Sequence, residues 1–91
     1  MKNSKITKPY QIFTYRIIIE PDEGDTFHGY VPALSGCHTW GKTINETKKH
    51  LREAIQLYLA SLKDDNEPIP QEQGLEFFET VSERGLSVIK K

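Results

Sequence analysis

Alternation and periodicity of apolar residues predict three strands and then a helix. The first strand is predicted over Gln11–Glu20, where β-branched and aromatic residues are concentrated. Side chains of a strand point alternately to opposite faces. The residues that alternation places on its inner face are Phe13, Tyr15, Ile17 and Ile19. We expect this face to line the core.

Turn residues separate this strand from two more. Pro and Gly mark a turn over Glu20–Asp25, and Thr26–Val31 follows as the second strand. The short separation is typical of a hairpin. Pro32 cannot donate to a β-ladder and marks the end of the strand. After a turn at residues 34–36, Cys37–Trp40 is predicted as a short third strand. The simplest arrangement is an antiparallel meander.

A long helix is predicted from its N-cap, Thr43, to about Lys63. Glu46 follows Thr43 at capping-box spacing, which lets each side chain bind a free backbone N–H near the other residue. The positions that recur at helical spacing are Ile44, Thr47, Leu51, Ala54, Ile55, Tyr58, Leu59 and Leu62. We expect this stripe to cover one face of the sheet.

The last part of the chain fits two structures. Pro68 and Pro70 follow the helix and end it. Strand-forming residues predict a fourth strand somewhere within residues 75–89, although Leu75 and Phe78 also fit helical spacing. We choose the strand.

The predicted fold is therefore α+β, in the order β-β-β-α-β. It combines a three-stranded antiparallel meander, one long helix and a C-terminal strand, and the meander followed by a helix resembles part of the ribonuclease H fold. The chain has 91 residues, 36% hydrophobic and 27% charged, which suits a single globular domain. We place this domain over residues 11–91 and a flexible N-terminal arm over residues 1–10.

Two further features concern the location of the protein. No apolar run approaches the roughly 20 residues that span a membrane. The lone Cys37 cannot form an intrachain disulfide, which fits a reducing compartment. We expect a cytoplasmic protein.

Acidic residues are concentrated in two segments, although the formal net charge is only −1. Four of the thirteen lie in Glu20–Asp25, and seven lie between Asp64 and Glu83, where Lys and Arg are absent. Such patches favour a basic partner and repel a phosphate backbone. Solvated loops that keep the chain soluble are the alternative interpretation.

No group of residues predicts catalysis, a metal site or a cofactor. Cys37 and His38 are neighbours on a predicted strand, so they point to opposite faces and cannot easily share a ligand or a proton. The two-metal chemistry of ribonuclease H-like enzymes needs converging acidic groups. The inner face of the first strand carries no carboxylate, and Glu53 lies on the polar side of the helix. We therefore expect that the protein is not an enzyme.

Several motifs, taken in their order and spacing, resemble the HicB-like antitoxin family. They are EPDEGD at residues 20–25, YVPALSGCHTWG at residues 30–41, the Thr43 and Glu46 cap, and NEPIP at residues 66–70. The resemblance covers about residues 12–70. It implies a partial ribonuclease H-like fold without nuclease residues. It also implies a type II antitoxin that binds and masks a HicA-type toxin, a small basic ribonuclease that cleaves mRNA.

The residues expected at the partner-binding surface lie near the second turn and in the acidic C-terminal segment. They are Tyr30, Pro32, Leu34, His38, Trp40, Glu72, Glu76 and Glu79. An open sheet edge also predicts a homodimer or tetramer. The chain ends at Lys91 without the DNA-binding segment of many relatives, so direct DNA binding is doubtful.

Three other functions stay open. One is a nucleic-acid-binding module, in which Tyr30, His38 and Trp40 would stack on single-stranded bases. The second is a residual hydrolase, whose cleavage would depend on a divalent metal and on Glu20 or Asp22. The third is an orphan regulatory domain with the same partial ribonuclease H-like fold.

Overall fold

The computed structural model describes residues 10–88, and side chains within this range except those of residues 87 and 88. Three strands and one long helix follow one another along the chain. They are β1 (Ile18–Asp22), β2 (Thr26–Tyr30), β3 (His38–Gly41) and α1 (Ile44–Asp64), with short 3-10 turns at Glu23–Asp25 and Glu83–Val88. The predicted N-terminal arm lies, up to residue 9, outside the described residues.

The three strands form an antiparallel sheet in the order β1-β2-β3, as predicted. The register pairs Glu20 with His28 across β1 and β2, and His28 with Trp40 across β2 and β3. These three residues therefore lie side by side across the sheet.

The first strand is displaced relative to its prediction. It begins at Ile18 rather than Gln11 and continues through Pro21 to Asp22. The turn is tighter than expected, because the Asp22 carboxylate accepts the Glu23 N–H at 2.8 Å. Gly24 also adopts a positive φ of 68°, which glycine tolerates without steric cost.

Helix α1 begins as its sequence predicts. Thr43 is the N-cap, and its hydroxyl accepts the Glu46 N–H at 2.9 Å. The Glu46 carboxylate returns to the N–H of Lys42 at 2.6 Å, one residue before the cap. Both side chains thus accept backbone N–H groups at the helix start, where intrahelical partners are missing.

The core lies between α1 and one face of the sheet. Its buried apolar residues are Val31, Leu34, Cys37 and Leu51, with Tyr15, Ile17, Ile19, Ala54, Ile55, Tyr58 and Leu59 packed against them. Thr47 is also buried, and its hydroxyl donates to the Thr43 carbonyl at 2.7 Å. The predicted helix stripe therefore faces the sheet, except that Ile44 is exposed.

Two glycines let the helix approach the sheet closely. A Cβ added at Gly29 would lie 2.7 Å from Leu51 Cδ1, and one added at Gly41 would lie 2.7 Å from the Thr47 backbone nitrogen. Both separations are shorter than van der Waals contact allows. The absence of side chains at these positions therefore sets the distance between helix and sheet.

The predicted fourth strand is not present among residues 75–88. Residues 67–82 form no helix or strand, and a 3-10 turn follows at Glu83–Val88. A strand needs a neighbouring edge, but at the edge segment before β1 the Arg16 N–H binds the Glu72 carboxylate at 2.9 Å instead of a backbone carbonyl. The residues that follow are exposed, and the strand-forming residues from Leu75 to Val81 pair with no other strand of the described chain.

Substitution Gly41→Ala should destabilise the fold. The added Cβ would meet the backbone of Thr47, which cannot move without shifting the helix, and overpacking of this kind costs about 1–3 kcal/mol. Urea unfolding followed by circular dichroism measures the change. Gly85→Ala is the matched control, because a Cβ there meets nothing within 4 Å. Equal midpoints for the two variants would contradict the close packing of helix and sheet.

Candidate partner-binding surface

The face of the sheet opposite α1 carries a group of aromatic rings. Because Gly29 and Gly41 point towards the helix, their neighbours on each strand point the other way. The side chains brought together there are His28, Tyr30, His38 and Trp40, which we call the aromatic cluster. Helix α1 covers only the opposite face, so this one is open within residues 10–88.

The aromatic cluster is held together by ring contacts and one hydrogen bond. His28 Nε2 and His38 Nδ1 are 3.0 Å apart, so one ring donates and the other accepts. The Trp40 ring centroid lies 4.8 Å from that of His28 and 5.0 Å from that of His38. Tyr30 stacks on His28 with centroids 5.7 Å apart. These separations fall in the range of favourable aromatic pairs.

Carboxylates border the aromatic cluster on the β1 side. The Trp40 indole N–H donates to Asp22 Oδ2 at 2.8 Å, and Glu20 is exposed beside His28 in the register. The hydrogen bond from Trp40 is the main reason why the pKa of Asp22 is lowered, and the Glu23 N–H adds to it. The surface thus combines exposed aromatic area with negative charge.

A second group of polar contacts lies at the Pro32 end of this face. Pro32 lines a depression with Tyr30 and His38, and also a second one with Arg16 and Glu72. The Glu72 carboxylate binds the Arg16 N–H at 2.9 Å and its Nε at 3.2 Å. The backbone N–H groups of Arg16 and Gly74 lower the pKa of Glu72. Pro32 therefore connects the aromatic cluster to the start of the C-terminal segment.

The structure groups some of the predicted site residues and separates others. Tyr30, His38 and Trp40 lie together, and Pro32 is exposed next to them. Glu72 joins the surface through Arg16. Glu76 and Glu79 are exposed farther along the chain, and no contact recorded for the described residues joins them to the aromatic cluster.

Leu34 was expected on the surface, but it is 1% exposed and belongs to the core. Two backbone hydrogen bonds turn it inward: its N–H donates to the Val31 carbonyl, and its carbonyl accepts the Cys37 N–H, both at 3.0 Å. Leu34 therefore packs in the core with Val31, Cys37 and Leu51 and offers no surface to a partner.

His28 is the member of the aromatic cluster that the sequence prediction missed. The signal was present, since alternation along β2 places Phe27 and Gly29 on one face of the strand. His28 and Tyr30 must then share the opposite face.

The described residues also bear on other kinds of site. Within residues 10–88, no group of three or more His, Cys, Asp or Glu side chains could hold a metal ion. Cys37 is buried, and this burial raises the pKa of its thiol, which keeps it in the less nucleophilic form. None of the helices in that range is both long and apolar enough to span a bilayer.

Comparison with known proteins gives consistent results. Residues 15–85 match the model of a family described as HicB_like antitoxin of bacterial toxin-antitoxin system. A UPF0150 protein from Synechocystis is 38% identical over 70% of this chain and 81% of its own length. A UPF0150 protein from Thermoplasma acidophilum is 45% identical over 68% of this chain and 90% of its own.

A solved structure shares the same architecture. It is the N-terminal domain of the Burkholderia pseudomallei antitoxin HicB, which is 30% identical to this chain. The two superpose with a TM-score of 0.55, covering 78% of this chain and 76% of the other. The α+β fold with a meander followed by one long helix is therefore shared between them.

Substitution Trp40→Phe should raise the pKa of Asp22 towards its usual value of 3.8, because the indole donor is lost while the Glu23 N–H remains. The hydrogen bond from Trp40 stabilises the charged form of Asp22, so it lowers the pKa of Asp22 in the folded protein. Its contribution to the free energy of unfolding is therefore fully present above the pKa of Asp22 in the unfolded chain. That contribution is lost as the pH falls through the lower pKa of the folded protein. NMR titration of the side-chain carboxyl carbon measures the shift. Glu23→Gln is the control, because it keeps both the Trp40 indole N–H and the backbone N–H of residue 23, and it should leave the pKa of Asp22 low. An unchanged titration in Trp40→Phe would contradict the bond.

Proposed function

The chain belongs to the HicB-like antitoxin family of bacterial toxin–antitoxin systems, and we propose that it binds and masks a HicA-type toxin, a small basic ribonuclease that cleaves mRNA. The family is one of antitoxins, not of enzymes. Recognition of a protein surface, and not conversion of a substrate, is then the task that the structure has to perform.

The aromatic cluster is the observation that carries this proposal. Trp40 is 48% exposed and His38 is exposed beside it, on a face that α1 leaves open. Aromatic residues are enriched at protein interfaces, where they bury large areas at low entropic cost. The ring contacts hold the cluster in place before a partner arrives, so little ordering is needed on binding.

The charges around this surface suit a basic partner. Glu20 and Asp22 border the aromatic cluster, and seven acidic residues lie between Asp64 and Glu83 without an intervening cation. A basic ribonuclease would be attracted by this field, and association would slow as salt rises. The same field repels a phosphate backbone, which disfavours the alternative of a nucleic-acid-binding module.

Two further properties belong to the proposal. The lone buried Cys37 suits action in the cytoplasm. Both β1 and β3 are edge strands of the sheet, and open edges support assembly into a homodimer or tetramer.

Binding to the toxin tests the proposal directly. The probe is a small basic HicA-type ribonuclease, taken as a catalytically inactive variant. Trp40→Ala should weaken binding by about tenfold or more, since buried tryptophans are frequent hot spots. Isothermal titration calorimetry gives the dissociation constants. Leu57→Ala is the matched control, because Leu57 is an exposed apolar residue on α1, which packs on the opposite face of the sheet.

The controls decide between the outcomes. Circular dichroism must show that both variants keep the wild-type fold. A tight complex that Trp40→Ala weakens and Leu57→Ala does not would support the aromatic cluster as the binding surface. No complex at micromolar concentrations would refute the proposal, and equal binding by all three proteins would refute the aromatic cluster as the binding surface.

A further inference from the structure

The segment after Gly74 exposes more apolar surface than an isolated chain should. We call residues 75–86 the C-terminal arm. Its large apolar residues are exposed by 80% at Leu75, 80% at Phe77, 89% at Phe78, 78% at Val81 and 64% at Leu86. Contiguous exposed apolar groups on a small protein mark an interaction site. The arm therefore requires an apolar surface to cover it.

The body of the protein contains a surface of that kind. A groove of about 480 Å³ runs between the segment before β1 and helix α1. Its apolar lining residues are Phe13, Tyr15, Ile17, Leu51, Ile55 and Leu59. We call it the helix-side groove. No strand pairs with the backbone of residues 11–15 in the described structure, so an extended segment lying there could form a ladder with it.

The charges of arm and groove are complementary. Lys48 and Arg52 also line the groove, and both are exposed. The arm carries Glu76 and Glu79 between its apolar residues and no basic residue before Arg84. An arm in the groove would bury its aromatic rings against apolar side chains and place carboxylates near two cations. Opposite charges at the rim of an apolar contact set orientation and partner choice.

The path of the chain directs the arm away from the groove of its own copy. The Tyr15 hydroxyl donates to the Pro70 carbonyl at 2.6 Å, and Tyr15 lines the helix-side groove. Two residues later the chain binds Arg16 through Glu72. Neighbouring side chains of an extended segment point to opposite sides. Residues 71–74 share a depression with Arg16 and Pro32 and do not line the groove, so the arm starts outside it.

We propose that two copies of this chain exchange C-terminal arms, with the arm of each copy seated in the helix-side groove of the other. The exchange is reciprocal, so it closes as a two-fold symmetric dimer and does not propagate. Each aromatic ring buries roughly 150–250 Å², which gives roughly 600–1,000 Å² for Phe77 and Phe78 of both copies together. The remaining arm residues and the groove surfaces add to this area, and a stable interface buries roughly 1,200–2,000 Å² in total.

This inference deepens the homo-oligomer part of the proposed function and does not depend on toxin binding. The aromatic cluster lies on one face of the sheet and the helix-side groove on the other. A dimer with exchanged arms thus leaves the toxin-binding face of each copy open. The two proposals can fail separately.

A charge exchange between two variants tests the contact. Lys48→Glu with Arg52→Glu makes the groove acidic, and Glu76→Lys with Glu79→Lys makes the arm basic. Each double variant alone should have a dimer dissociation constant at least about tenfold above that of the wild type, because like charges face each other. An equimolar mixture should form a heterodimer, since each arm then meets a groove of opposite charge. Light scattering after size exclusion and native mass spectrometry measure these masses.

Matched controls separate this contact from general charge effects. Lys49→Glu changes a neighbouring lysine that does not line the groove, and it should leave the dimer intact. Phe77→Asp with Phe78→Asp should give a monomer whose circular dichroism is unchanged, because these rings contribute nothing to the core. Toxin binding by that monomer at wild-type strength would support both proposals together.

Other binding partners of the arm would give different results. A wild-type protein that stays monomeric at a concentration on the order of 100 μM would overturn the exchange. A dimer whose dissociation constant the charge variants do not raise would overturn it as well. A wild-type monomer in which the phenylalanine variant loses toxin binding would assign the arm to the toxin instead. A dimer that behaves as expected but binds no toxin would refute the proposed function alone.

Discussion

The rest of the structure depends on how closely helix α1 lies against the sheet at Gly29 and Gly41. With no side chains at these two positions, Leu51 and Thr47 reach the strand backbones and are completely buried. This contact fixes which face of each strand is inside. In a domain with so small a core, where burial is limited by size, one helix can close one face only. The other face is left to be covered by something else or to stay in water.

The composition of the open face follows from that constraint. The aromatic and histidine side chains of this face do not extend separately into water. They pack against one another, and His28 and His38 form a hydrogen bond. The Trp40 indole is satisfied by Asp22, so the polar atom has a partner while the ring keeps its exposed area. Such a surface is stable in the free protein and is also ready for a partner, which reduces the ordering required on binding.

Much of the fold could be predicted because local signals agree with one another. The Thr43 and Glu46 pair fixes the helix start, and alternation in β2 fixes which residues face outward. In the structure Tyr30, His38 and Trp40 lie on one surface, and their role in binding stays a prediction. Leu34 could not be placed by alternation, since it lies in a turn whose backbone hydrogen bonds decide its direction. Periodicity describes strands and helices, and it says nothing about side chains between them.

The C-terminal segment shows a different limit. Its residues have the composition of a strand, but a strand exists only where a neighbouring edge supplies hydrogen bonds and apolar contacts. Near Arg16 the Glu72 carboxylate takes the edge N–H, and the chain then turns away from its own groove. If that edge and groove belong to a second copy, the strand-forming pattern from Leu75 to Val81 reflects the dimer and not the isolated chain. A fourth strand would then form between two molecules, which is why the sequence pattern predicts a strand that the isolated chain does not contain.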